Sequence, residues 1–99
     1  MEVKEKMLKI KAEKIKELES FGFKKVLGWN IYRKPVDFYC WWRDIKIFQI
    51  SVLADKTISL IIGVKIDANT MRTYESTNAD YIEFAVQDLI KADMIEEEL

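Results

Sequence analysis

Few residues in this chain are equipped for chemistry, and they are of restricted kinds. The single cysteine, Cys40, alternates with Phe38 and Trp42, and the chain has no histidine to activate it. A thiol in that setting reads as a small apolar side chain rather than a nucleophile. The missing histidine also removes the commonest general acid–base and the favoured transition-metal ligand. One thiol does not build a zinc site. Gly22, Gly28 and Gly63 stand alone, so no phosphate-cradling loop is encoded. Carboxylates gather at Asp67, Glu75, Asp80 and Glu83, but without the D-x-[DN]-x-[DN]-G…E spacing of a calcium loop. Helix capping and solvated loop positions account for them. The expectation is a non-enzymatic chain with no catalytic, cofactor-binding or metal-ligating residues.

Binding chemistry is better represented. Trp29, Tyr32, Tyr39, Trp41 and Arg43 are of the types that dominate protein–protein contacts. They lie in a segment richer in apolar residues than a sheet covered on one face needs, since Phe38, Cys40 and Trp42 face one way while Tyr39 and Trp41 face the other. An open sheet face keeping such residues marks an interface. The same aromatics interleave with Lys24, Lys25, Arg33, Lys34 and Arg43, the chemistry of a stacking platform for single-stranded bases. Three arginines and a net charge of −1 make nucleic acid the weaker partner class.

Charge divides the chain by position. Residues 1–34 carry ten Lys/Arg against five Asp/Glu, and residues 67–99 carry two against nine. Either the ends neutralise each other within one fold, or each offers a charged face to a partner. Asp80, Glu83, Asp88, Glu96, Glu97 and Glu98 are the acidic candidates for the second role, as imitators of nucleic-acid phosphates toward a basic target.

These residues need elements to hold them. Ninety-nine residues, 49% of them apolar, suit one α+β domain spanning 1–99. Val3, Met7, Leu8, Ile10, Ala12, Ile15 and Leu18 gather on one half of a helical wheel, predicting an N-terminal helix over 2–20. Gly22 should end it in the left-handed conformation, with Phe23 packing back on Leu18. From 23 to 66 β-branched and aromatic residues dominate, predicting four strands near 23–34, 37–43, 45–53 and 57–66. Short separators make them an antiparallel meander, with Pro35 in a turn and Gly28 at a bulge or bend. Residues 67–77 read as the longest loop, and a second helix is predicted over 78–97. The expected order is α-β-β-β-β-α, with both helices on one face of a four-stranded sheet and the basic helix beside the acidic one.

No apolar run is long enough to span a bilayer, and the N-terminus lacks a signal peptide's apolar stretch. With one cysteine, the expected compartment is the cytoplasm. In size, lack of cofactor chemistry and helix–sheet–helix order, the chain resembles the short accessory proteins of phages and mobile elements. Their anti-defence members, such as anti-CRISPR proteins, bind and block a host protein. That resemblance carries no site residue over. The functional expectation is a protein-binding module or inhibitor, with a host protein or a second copy (a homodimer) as partner. A small RNA- or single-stranded-DNA-binding domain is the alternative.

Overall fold

The computed structural model describes residues 6–98. Leu8 and Ile10 are buried while Met7 and Lys9 between them are partly exposed, a period-two pattern that makes Met7–Ile10 a strand, β1. The helix expected over 2–20 therefore does not form across the described residues, and its first part, residues 2–5, lies outside them. Ala12–Phe21 winds as a 3-10 helix instead of an α-helix. The reason is legible in the spacing: Ala12, Ile15, Leu18 and Phe21 recur every third residue, the repeat of a helix with three residues per turn. Gly22 ends this helix at φ 93°, donating to the Glu19 carbonyl while the Phe23 N–H reaches back to Leu18, as the Schellman stop requires.

Five strands follow the 3-10 helix: β2 Lys24–Lys25, β3 Tyr32–Cys40, β4 Ile45–Val52, β5 Ile58–Asp67 and β6 Thr70–Ser76. They pair in chain order as one antiparallel meander. The sheet thus has five strands rather than four, because 70–76, expected in the long loop, pairs along β5. The Asp67 carboxylate accepts the Asn69 N–H at 2.9 Å and folds the intervening residues into a tight turn. Pro35 lies within β3 rather than in a turn; the register shifts between Pro35 and Phe38, so the missing N–H falls beside an irregularity. Gly28 sits at φ 81° in the 26–31 turn, outside any strand.

The helix expected over 78–97 is three pieces. Asn78 accepts the N–H groups of Asp80 and Tyr81 and starts α1, Ala79–Ala85. The backbone breaks at the buried Val86, α2 spans Gln87–Lys91, and Asp93 turns at φ 57°. The last described residues, Ile95–Glu98, form β7, which pairs antiparallel with β1 as a separate two-stranded ribbon. Long-range pairing has overridden helical propensity at both ends of the chain.

The core lies on one face of the large sheet. Cys40, Ile45, Ile47, Ile50, Val52, Ile58, Leu60 and Ile62 meet Leu8, Ile10, Leu18, Ile82, Val86, Leu89 and Met94 in a single buried cluster. Each partner beyond the sheet comes from β1, the 3-10 helix or the 79–94 segment. The architecture is α+β, two-layered, with helices and ribbon on the same side.

Candidate interaction surface

The register separates the sheet's two faces. Tyr32, Lys34, Phe38 and Cys40 align with Val52, Ile50, Ile47 and Ile45 toward the core. The opposite face carries Arg33, Pro35 and Tyr39 on β3, Lys46, Gln49 and Ser51 on β4, and Ser59 and Ile61 on β5. It is largely polar. Ser59 donates to Glu75 at 2.9 Å and Gln49 to Ser51 at 3.1 Å across it. Besides Pro35, Tyr39 and Ile61, its apolar content is a pair packed over Gly63: a Cβ there would lie 2.5 Å from Phe48 Cε2 and 2.6 Å from Met71 Sδ, so those two side chains close over the glycine. The register shift between Ile47 and Gln49 accounts for this, since a bulge there puts Phe48 on the outer face while Ile47 and Ile50 both stay inside. The open face thus keeps some aromatic and aliphatic residues, Tyr39, Phe48, Ile61 and Met71, set among charged and polar side chains.

The five aromatic and basic candidates consequently occupy different places. Tyr32 is half-buried against the core. Tyr39 stands on the outer face and donates its phenol to Asp44 Oδ1 at 2.5 Å; that bond holds its pKa above the ordinary 10.0. Trp29 lies in the 26–31 turn at one end of β3, 66% exposed. Trp41 and Arg43 lie in the turn after β3, at the other end, and Trp41 is 74% exposed. The nine residues of β3 separate the two tryptophans by about 30 Å.

The Trp41 end has internal support. Trp41 meets Trp42 edge to face at 5.9 Å, Trp42 meets Phe84 at 4.9 Å, and Phe84 meets Phe38 at 6.4 Å, with interplanar angles of 79°, 83° and 80°. Four rings run from the core cluster to the surface, each presenting an edge to the next ring's face. Trp42 and Phe84 are functional candidates that sequence reasoning missed. The alternation of Phe38, Cys40 and Trp42 was the available signal, since it put Trp42 on the core side; no local pattern linked it to Phe84, 42 residues away.

The acidic candidates are mostly engaged within the chain. Lys6 Nζ sits 2.8 Å from Glu83 and 2.9 Å from Glu97; Lys9 pairs with Glu98 at 2.8 Å, Lys11 with Asp93 at 2.9 Å and Lys34 with Asp88 at 3.7 Å. Hydrogen bonds to their carboxylates raise the pKa values of Lys6, Lys9 and Lys11 above the ordinary 10.5. Asp80 and Glu96 are exposed and make no ion pair among the described residues. Of the four carboxylates gathered at 67–83 in the sequence, Asp67 is engaged by its turn, Glu75 by Ser59 and Glu83 by Lys6, while Asp80 has no ion pair among the described residues. Cys40 is fully buried, and burial pushes its thiol pKa up.

Basic residues concentrate at the β2 edge. Lys24 lies directly opposite Arg33, both exposed and neither ion-paired among the described residues. No helix among the described residues is long and apolar enough to cross a membrane. Comparison with protein-family models, with curated proteins and with solved structures finds no match.

Proposed function

We propose that this chain is a non-enzymatic protein-binding module that occupies a partner's surface with the Trp41 end of its sheet. The observation that carries the reading is Trp41 itself, a tryptophan three-quarters exposed yet seated on a column of rings that reaches the core. A large side chain held in place before binding loses little conformational freedom when it docks, and tryptophan with a neighbouring arginine, here Arg43, is the usual composition of a binding hot spot. The partner is a protein of the source cell, and the form of the reading suggested by chain size and style is an inhibitor carried by a phage or mobile element. Immobilised protein tests it. Wild type should retain a partner from source-cell lysate that Trp41→Ala retains at least about 30-fold more weakly, the loss of one strong hot spot. Equal retention by both removes the reading.

A second reading is favoured by the Lys24–Arg33 pair. Like charges directly across a ladder repel, and an anion between them would relieve that, with Trp29 in the adjoining turn available for stacking. It predicts binding of single-stranded oligonucleotide that falls steeply as salt rises. No retention on an oligonucleotide column at low salt eliminates it.

A further inference from the structure

The large sheet ends differently at its two sides. At one side the last strand is β2, two residues long. At the other it is β6, seven residues long, exposed from Thr70 to Glu75, and no other strand among the described residues pairs with its outer side. Every second residue of such a strand turns its N–H and C=O away from the sheet, a template for another strand. Two of the usual obstacles are missing, since β6 has no proline and its register shift with β5 lies at one end, between Lys65 and Asp67; its two charges, Arg72 and Glu75, are the edge protection it does carry.

The residues of β6 also match themselves. We infer that β6 joins two copies of this chain edge to edge, antiparallel about a two-fold axis through Thr73. A two-fold axis perpendicular to a sheet keeps each side chain on its own face, so it must pass through a residue rather than between two. Thr73 is the midpoint of Thr70–Ser76, and only that centre pairs all seven residues. It sets Thr73 against its own copy, a favourable cross-strand pair. It sets Arg72 against the partner subunit's Tyr74 on the helix side, twice by symmetry, in reach of a cation–π contact. Tyr74 is 46% exposed in the single chain and available for it. The alternatives are worse: centring on Arg72 opposes two arginines, centring on Glu75 opposes two glutamates, and centring on Met71 or Tyr74 leaves strand residues unpaired. The surface differs from the Trp41 end, so the two proposals stand or fall separately.

The test uses the full chain alone. Wild type at 10–100 µM (concentrations on the order of those at which transient dimers form) should sediment at twice the chain's 11.7 kDa. Thr73→Cys should oxidise to a covalent dimer, because directly opposite Cα atoms lie about 5 Å apart. Met71→Cys should not, because its copy would lie four residues along the ladder, about 13 Å away. Cys40, fully buried, supplies no competing thiol. Tyr74→Arg should return the protein to monomer by opposing arginines, and R72E/Y74R should restore the dimer by opposing opposite charges. A monomeric wild type overturns the inference. So does a wild-type dimer in which Met71→Cys cross-links as readily as Thr73→Cys, or one that Tyr74→Arg leaves intact.

Discussion

Trp41 and Trp42 are neighbours with opposite duties. Trp42 meets rings on two sides and holds Phe84 of α1 to the β3–β4 turn, whereas Trp41 meets one ring, Trp42, and is 74% exposed. Trp42→Ala should therefore cost about 2 kcal/mol of stability, a lost pair of aromatic contacts with part of the ring's burial. Trp41→Ala should change stability by less than about 1 kcal/mol, since most of its surface never left water. Urea denaturation of the two variants checks the ranking; the reverse order would contradict the assignment of roles. Gly63 makes a sharper case. Its neighbours Phe48 and Met71 fill the space a side chain would take, so Gly63→Ala should destabilise by about 1–3 kcal/mol. A midpoint unchanged in urea would mean that those side chains yield freely.

Among elements, the β1–β7 ribbon is the one most dependent on charge. Its register faces Lys9 with Glu96, and Lys9 together with the flanking Lys6 and Lys11 is tied to Glu83, Glu97, Glu98 and Asp93. The pKa values of Lys6, Lys9 and Lys11 are raised on folding, so their contribution is complete below the unfolded value of 10.5 and is lost as pH rises through the higher folded values. Asp55, Asp67 and Asp93 are lowered on folding, Asp55 and Asp67 chiefly by backbone hydrogen bonds and Asp93 by Lys11. Their contribution is complete above 3.8 and is lost as pH falls through the lower folded values. Thermal melts followed by circular dichroism should show a plateau between about pH 5 and pH 9, with the midpoint falling on both sides. A midpoint still rising above pH 11 would contradict the alkaline limb. The elements also differ in how far the chain announces them. β5 was plain because Ile58, Leu60, Ile62 and Val64 recur at every second position, with Ser59, Ile61, Gly63 and Lys65 between them, and β-branched residues dominate the run. The Gly22 stop was plain because left-handed backbone selects glycine. The ribbon was hidden, because its period-two signal spans only Met7–Ile10 and its partner, IEEE, has almost no apolar pattern; pairing across nearly the whole chain decided it. β6 was hidden for a related reason: an edge strand exposed on both faces shows the composition of a loop, and only β5 makes it a strand.

For the whole molecule, the opposed charges of the two ends resolve into one internal arrangement. The basic N-terminal segment and the acidic C-terminal one run antiparallel in the ribbon and share five close ion pairs with α1, α2 and the adjoining loop. Exposed pairs of this kind stabilise little individually, but they fix which strands meet, and they leave few carboxylates unengaged for a partner. Among the large side chains facing outward, Trp29 and Trp41 are the aromatic residues that protrude most, at 66% and 74% exposed. The candidate residues were legible in the sequence as types, and Trp41 and Arg43 do fall together in one turn; their division between two ends of β3, and the ring column under Trp41, depended on register and on a helix far along the chain.

The central claim is that recognition falls on Trp41 and not on the acidic terminus. A side-by-side retention assay from source-cell lysate with wild type, Trp41→Ala and Glu96→Lys tests it most directly, since Glu96 is exposed and makes no ion pair among the described residues. The account predicts that Glu96→Lys keeps the partner bound by wild type and that Trp41→Ala loses it. Loss with Glu96→Lys and retention with Trp41→Ala would contradict it.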